Sequence, residues 1–247
     1  MAFSDSHCHL SGQQTAQLAE VLEQARSKDV EIVVGMGMSL ESSAENIGLA
    51  RSHRGIAAAV GIHPWNAVPP TDEVRRGLSE LARGEHVSVI GEIGLDYARS
   101  PETSEIQKEL LRYELSLARE IGLPVSIHCR EAYQDMMAIL RPEVAAGLRG
   151  AIHGFSGSQD NLEEWLSLGF YISVGRRGFL TDEIPSLEAT VCQIPLDRLL
   201  TETDAGGRSG SPADVVLVVE KMASLRRAGV EDLASAATAN LKSLLKL

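Results

Sequence analysis

The feature that most constrains the fold is an alternation of short apolar runs with longer amphipathic stretches along the whole chain. Short runs that are apolar throughout are typical of strands covered on both faces, and the stretches between them have helical spacing. The predicted strands are Ala2–His7, Glu31–Gly35, Ile56–Gly61, Val87–Glu92, Val125–Cys129, Gly150–His153, Phe170–Val174 and Leu199–Glu202. The predicted helices are Gln14–Lys28, Leu40–Ser52, Asp72–Arg83, Thr103–Ile121, Ala132–Leu140, Asp160–Leu168, Asp182–Gln193, Pro212–Ala228 and Glu231–Leu245.

Eight strands that alternate with helices predict an α/β fold, a single TIM (β/α)8 barrel that takes up residues 1–247 as one domain. A doubly wound open sheet is the alternative architecture. The first strand is not followed by a GxGxxG turn, which disfavours the nucleotide-binding version of that sheet.

The composition argues against several classes of protein. A net charge of −11 disfavours a broad basic surface for nucleic acid, although metals and a few local cations can still hold one or two phosphates. No apolar run reaches the roughly 18 residues of a membrane span, and no basic and apolar leader precedes Asp5. Three cysteines without a CxxC pair disfavour a disulfide framework. We therefore expect a cytoplasmic protein that has no membrane contact, and the sequence indicates no obligate protein partner.

Residue types that bind metals recur at the predicted carboxyl ends of the strands, where barrel enzymes build their active sites. The first strand runs into Asp5-Ser6-His7-Cys8-His9, in which alternate side chains share a face. Later strand ends carry His63, Glu92, His128, His153 and Asp204. Each residue alone is compatible with a packing or turn role, but buried charged groups in this number need partners. Metal ions would supply those partners, so the sequence predicts a metal site.

Imidazole and carboxylate ligands together suit zinc, manganese or iron and exclude none of them. A carboxylate such as Glu92 can bridge two ions about 3.5–4 Å apart, and water bound to such ions becomes a hydroxide nucleophile near neutral pH. A nearby carboxylate can take the proton of that water and later pass it to the leaving group.

Seven motifs resemble, in order, those of the TatD family of metal-dependent hydrolases: DSHCHL, GIHPW, GEIGLDY, GLPVSIHCREA, HGFSGS, YISVG and LLTETDA. The resemblance runs from Asp5 to the end of the chain. It implies a TIM barrel of the amidohydrolase superfamily with a divalent metal centre. It also implies phosphodiesterase activity on DNA, as an exonuclease or an AP-type nuclease.

The resemblance further implies which residues bind the metals. His7 and His9 match the HxH metal pair, and Glu92 matches the bridging carboxylate. His128 and His153 match the pair on the second metal. The expected cofactors are therefore two divalent ions, with zinc, manganese, magnesium and iron all open.

Other matched positions are expected to act on the substrate or the proton. Asp204 matches the ligand that is also the general base, and His63 matches the histidine that contacts the scissile phosphate. Arg130 follows the fifth-strand histidine and either neutralises phosphate or pairs with a helix such as the one that starts near Glu131. Trp65 either stacks on a base or packs in its loop.

Strand alternation also predicts residues that hold the metal ligands in position. Asp5 shares a face with the two histidines of its strand, and Glu202 shares a face with Asp204, so either carboxylate can orient a ligand histidine or an internal cation. Cys8 and Cys129 alternate away from the neighbouring histidines and are expected to pack as small apolar residues.

The loops after the last two strands depart from the family pattern. The segment after Asp204 is short and lacks an aromatic residue, and Gly175 is followed by two arginines. Arg176, Arg177 and Arg208 either attract an anionic substrate or form a solvated rim. These departures bear on the choice of substrate and leave the metal site unchanged.

The expected function is a divalent-metal-dependent phosphodiesterase or deoxyribonuclease, in which metal-activated hydroxide attacks DNA or another phosphodiester held transiently. Glu92 and Asp204 are the expected catalytic residues. Two alternatives stay open: an amide or ester hydrolase, such as a deacylase or lactonase, on the same metal centre, and a barrel that binds without catalysis.

Overall fold

A computed structural model describes residues 2–13, 15–181, 187–206 and 210–247. Across these residues, eight strands form one sheet in the order β1 to β8. The strands are β1 (Phe3–Cys8), β2 (Val30–Gly35), β3 (Ile56–Val60), β4 (Val87–Asp96), β5 (Val125–Arg130), β6 (Gly150–Ile152), β7 (Tyr171–Val174) and β8 (Leu199–Thr201). The order follows the chain without reversal, whereas a doubly wound sheet reverses its strand order at a switch point. The open-sheet alternative is therefore wrong.

Helices follow the strands along the described part of the chain. They are α1 (Thr15–Ser27), α2 (Leu40–Ser52), α3 (Asp72–Ala82), α4 (Ser104–Ile121), α5 (Tyr133–Ala145), α6 (Gln159–Ser167), α7 (Arg176–Phe179), α8 (Leu187–Val191), α9 (Val215–Arg226) and α10 (Val230–Leu245). Within the residues that the structure covers, none of the helices combines the length and the apolar character that crossing a membrane requires.

Most element bounds shift by one or two residues from the predictions, and the larger differences are in β4, α5 and the elements α7 to α9. Strand β4 continues past Glu92 as far as Asp96. Helix α5 continues past its predicted end at Leu140, through Pro142, to Ala145. It can do so because N–H groups near its end, such as that of Ala146, still donate to carbonyls of the last turn. Helix α7 was not predicted, and its backbone is kinked at its second and third residues. Pro212–Asp214 is a 3-10 turn before α9, and the predicted start of α8 falls outside the described residues.

The chain divides into two compact units, and the first consists of the residues up to Gly35 together with Ile152–Leu247. In this unit β1 pairs with β2 and β7 pairs with β8, both in parallel. Two backbone bonds join the end of β1 to the segment after β8. The His9 N–H donates to the Ala205 carbonyl at 2.7 Å, and the Asp204 N–H donates to the His7 carbonyl at 3.0 Å.

Helix α10 covers the start of β1 and of β8 in the same unit. Its buried residues recur at helical spacing and are Leu233, Ala234, Ala237, Thr238, Leu241, Leu244 and Leu245. The Thr238 hydroxyl donates to the Ala2 carbonyl at 3.1 Å. The Asn240 side-chain amide donates to the Leu196 and Leu199 carbonyls, both at 2.8 Å. These bonds fix β8 at its amino end and leave its carboxyl end for the ligands.

The second unit is Met36–Ala151, in which β3 pairs with β4 and β4 pairs with β5 in parallel. Helix α4 packs along β4 through a stripe that includes Leu111, Leu115 and Ala118, spaced three and four residues apart. Inside this stripe the buried Glu114 carboxylate accepts the N–H of Ile62 at 2.8 Å. Helix α4 therefore positions both β4 and the segment after β3.

Strands β4 and β5 approach each other closely at Gly94, which has a φ of +152°. A Cβ atom at this position would lie 1.9 Å from the His128 carbonyl oxygen, so a larger residue would push the two strands apart.

The predicted single domain over 1–247 stays a prediction.

Candidate functional site

The first candidate metal-binding group, called here the His7 group, consists of His7, His9 and Asp204. One ligand atom from each residue lies within 4.8 Å of the others. Asp204 Oδ1 is 3.8 Å from His7 Nε2 and 3.2 Å from His9 Nε2. His7 is buried and His9 is partly exposed, because β1 ends between them and His9 continues as a single bridge to Gly206.

Asp204 is held in place by its backbone as well as by the histidines. It has a φ of +51°, a conformation that aspartate adopts more readily than most residues other than glycine. Burial alone would raise its pKa. The hydrogen bond with His9 and the nearby His153 and His7 rings outweigh burial and hold the Asp204 pKa well below its usual range. The carboxylate is therefore ionised and can bind a cation.

His153 and Glu202 adjoin the His7 group. The His153 ring stacks on the His7 ring with 3.8 Å between centroids. Glu202 Oε1 accepts the Gly154 N–H at 2.7 Å and lies 3.3 Å from His153 Nδ1. Among the described residues, Glu202 Oε2 has no hydrogen-bond partner, although the residue is completely buried. A buried carboxylate oxygen without a donor is a position that a bound cation would satisfy.

Asp5 accepts hydrogen bonds from two backbone N–H groups and from the Thr203 side chain. Its Oδ1 accepts the N–H groups of His7 and Thr203 at 3.2 and 3.0 Å, and its Oδ2 accepts the Thr203 hydroxyl at 2.6 Å. Burial raises the pKa of Asp5 well above its usual range, and the bonds from Thr203 oppose that rise. Asp5 thus joins β1 to the residue just before Asp204.

The second candidate metal-binding group, called here the Glu92 group, consists of His63, Glu92 and His128 in the second unit. Glu92 Oε1 lies 3.2 Å from His63 Nε2 and 2.9 Å from His128 Nδ1. Glu92 and His63 are each 2% exposed. Glu92 lies in the middle of β4 rather than at its end, so the predicted strand boundary was wrong while the residue still meets the two histidines.

The bonds of His63 indicate where its proton lies. Its Nδ1 accepts the backbone N–H of Trp65 at 3.1 Å. A neutral imidazole with one accepting nitrogen carries its proton on the other, so Nε2 of His63 is a donor that points at Glu92. A metal ion could bind Nε2 only if that proton left, and the ring would then be an anion as long as Nδ1 still accepted the Trp65 N–H. His63 is therefore suited to donate a hydrogen bond to an anion.

Asp96 is a site residue without an assigned role in the sequence interpretation. Its Oδ2 lies 3.0 Å from His128 Nε2 and accepts the Trp65 indole N–H at 2.7 Å. Burial alone would raise the pKa of Asp96, but the bonds from His128 and Trp65 outweigh burial and hold it well below the usual range. The signal in the sequence was the even spacing from Glu92, which places both carboxylates on one face of an extended strand.

The predicted arginines lie at different places. Arg130 is the register partner of Asp96 on β5 and is exposed. In the first unit, Arg177 Nη1 is 3.9 Å from Asp204 Oδ2, and Arg176 Nη1 is 3.9 Å from Asp214 Oδ2. Arg208 lies outside the described residues.

Of the two cysteines near the ligands, Cys8 is buried, as the alternation predicts, and Cys129 is half-buried. Cys8 is completely buried, with Sγ 3.5 Å from the Val34 carbonyl oxygen. Burial raises the pKa of Cys129 to about 12. Burial thus keeps the Cys129 thiol protonated, and among the described residues neither cysteine belongs to a candidate metal-binding group.

The residues fit a divalent metal. Both groups offer imidazole nitrogens and carboxylate oxygens, the donor set of zinc, manganese and iron sites. The Glu202 oxygen without a donor is a further reason to place a cation near the His7 group.

An α/β chain with eight strands in sequential order, whose strands and the segments after them carry histidine–carboxylate groups, belongs to a class, the metal-dependent hydrolases with a (β/α)8 fold. Within that class, the chain belongs to the family described as TatD related DNase, whose model matches residues 4–246.

Individual relatives agree with this assignment. The "Uncharacterized metal-dependent hydrolase YabD" of Bacillus subtilis is 35% identical over 253 residues, which cover 98% of each chain. The "3'-5' ssDNA/RNA exonuclease TatD" of Edwardsiella piscicida is 36% identical over 199 residues, 79% of this chain and 75% of that protein. The crystal structure of the TatD homologue YJJV from Escherichia coli matches with a TM-score of 0.90 and 27% identity, over 99% of this chain and 98% of that one. The predicted TIM-barrel fold class and the TatD resemblance are confirmed, and the chain is a metal-dependent hydrolase.

Proposed function

We propose that this chain hydrolyses phosphodiester bonds of single-stranded nucleic acid with the help of two divalent ions. The observation that carries the proposal is the presence of two histidine–carboxylate groups, the His7 group and the Glu92 group, in a chain of the TatD family. A relative that is 36% identical over 79% of this chain bears the name of an exonuclease for single-stranded DNA and RNA. That name supports the choice of substrate class.

One ion is assigned to His7, His9 and Asp204, and a second ion to Glu92 and His128. That Glu92 also binds the first ion, and that His153 also binds the second, stay predictions from the family resemblance. A divalent ion supplies Lewis-acid stabilisation of charge on a phosphoryl group and makes a nearby water more acidic.

The chain's own residues supply the remaining steps. Asp204 is ionised and takes the proton of the attacking water on a carboxylate oxygen. His63 donates its Nε2–H to a non-bridging oxygen of the scissile phosphate, and the Trp65 N–H bond to Nδ1 keeps that proton on Nε2. Asp96 orients the His128 ring through Nε2, so that Nδ1 faces Glu92 and His128 would hold an ion together with that carboxylate.

The test is the Asp204→Asn variant, because asparagine tolerates the same positive φ and retains the shape of the side chain. We expect cleavage of single-stranded oligonucleotides with Mg²⁺, Mn²⁺ or Zn²⁺ to fall by about 10²–10⁴-fold, the range for loss of a positioned base. Asp197→Asn is the matched control, since Asp197 is 75% exposed and belongs to the same unit.

Two results would contradict the proposal. One is absence of cleavage of DNA and RNA strands by a wild-type chain whose metal content, measured by mass spectrometry, is about two ions. The other is hydrolysis confined to acyl esters, amides or lactones in the same screen, which would support the deacylase or lactonase alternative.

A further inference from the structure

Trp65 is fixed beside the Glu92 group by bonds from two directions. Its indole N–H donates to Asp96 Oδ2 at 2.7 Å, and its backbone N–H donates to His63 Nδ1. The indole ring meets the His63 ring edge-on, with 4.6 Å between centroids. An indole with its N–H bonded to a buried carboxylate cannot rotate freely, so the plane of the ring is set by the same residues that build the Glu92 group.

Arg99 lies on that fixed ring. Its Cζ is 3.8 Å from the Trp65 ring centroid, and its backbone N–H donates to Asp96 Oδ1 at 2.9 Å. The side chain is exposed to solvent. Stacking uses the flat face of a guanidinium and leaves its in-plane N–H donors available, an arrangement suited to bidentate contact with a phosphate.

A second arginine lies at the same end of the second unit. Arg130 is the register partner of Asp96, and its carbonyl accepts the Tyr97 N–H at 2.9 Å. Arg130 is the last residue of β5 and Arg99 comes three residues after the end of β4, so both lie at the carboxyl ends of two neighbouring strands. In a chain with a net charge of −11, local cations of this kind are needed to hold a polyanion.

We propose that Arg99, stacked on Trp65, forms a binding subsite for a backbone phosphate of the substrate strand, next to the phosphate that is cleaved. The inference deepens the proposed function, because it names a contact that a strand of several nucleotides makes and a single phosphodiester does not. Arg99 binds substrate here and takes no part in bond cleavage.

Binding of a fluorescein-labelled octathymidylate, followed by anisotropy in EDTA with the full-length chain, tests the inference without turnover. Arg99→Gln is compared with Arg51→Gln, which makes the same change in charge at an exposed position in the last turn of α2, away from the carboxyl ends of the strands. We expect about 3–10-fold weaker binding for Arg99→Gln only. The slope of log K against log salt should also fall by about 0.7, the value for one phosphate contact on a single strand.

A set of octathymidylates, each with one neutral methylphosphonate linkage at a different position, locates the phosphate that Arg99 contacts. In the wild-type chain one linkage should weaken binding most, and in Arg99→Gln that same linkage should have no further effect. Equal binding by wild type and Arg99→Gln, an equal loss in both variants, or absence of strand binding by the wild type would each overturn the inference. If binding is weaker in Arg99→Gln but not in Arg51→Gln, and neither the wild type nor Arg99→Gln cleaves strands, the inference stands and the proposed catalytic function fails.

Discussion

Thr203 offers a sharp test of how the segment that bears Asp204 is held. Its hydroxyl donates to Asp5 Oδ2 at 2.6 Å and accepts the Ala205 N–H at 3.1 Å, and all three residues are buried. Thr203→Val retains the shape and removes both bonds. Loss of a bond to a carboxyl group costs about 1–3 kcal/mol, and a buried N–H left without an acceptor costs about 1–3 kcal/mol more. Burying a methyl group in place of the hydroxyl offsets about 0.8 kcal/mol.

The expected net loss is about 1–5 kcal/mol of unfolding free energy, centred near 3 kcal/mol, against the roughly 5–15 kcal/mol of a typical domain. In urea, with a slope near 3 kcal/mol/M, the midpoint should fall by about 1 M. Thr203→Ser is the matched control, because it retains the hydroxyl and loses only one methyl group, worth about 0.8 kcal/mol. A Thr203→Val midpoint equal to that of the wild type, or a larger loss in Thr203→Ser, would refute this account.

Two further substitutions test the second unit. Burial raises the pKa of Glu114 well above its ordinary value of 4.5, so the folded chain binds this proton more tightly than the unfolded chain. The free energy of unfolding should therefore fall as pH rises from about 4.5 through the raised pKa. Glu114→Gln should flatten this pH dependence in urea titrations, and an unchanged dependence of stability on pH would contradict the assignment. Gly94→Ala should lose about 3 kcal/mol or more, because its Cβ would lie 1.9 Å from the His128 carbonyl oxygen at a φ of +152°; Gly48→Ala in α2, where a Cβ meets nothing within 4 Å, should be neutral or stabilising in the same thermal melts.

The fold and most candidate ligands could be predicted because both depend on periodicity. Alternation from β1 into the bridge residue that follows it places His7 and His9 on one face. A histidine near the end of a strand lies at the carboxyl edge wherever the strand lies in the sheet. No long-range information is needed for such a prediction.

The length of β4 could not be predicted in this way. Gly91 and Gly94 are typical of a strand end, yet β4 continues to Asp96. A Cβ at Gly91 would lie 2.8 Å from the Ser126 Cβ, and one at Gly94 would meet the His128 carbonyl. These glycines therefore permit close approach of β5 rather than ending the strand, and that role is visible only when the neighbouring strand is in place.

The two carboxylates predicted to support the ligands illustrate the same limit at the level of single side chains. Asp5 and Glu202 both share a strand face with ligands, but Glu202 is longer by one methylene group. Glu202 reaches the His153 ring at 3.3 Å, whereas Asp5 accepts from the His7 and Thr203 backbone and from the Thr203 hydroxyl. Alternation determines the direction in which a carboxylate points, and side-chain length together with the adjacent strand determines whether it meets an imidazole or a backbone N–H. Asp5 therefore positions Asp204 through the chain, and Glu202 acts on a histidine directly.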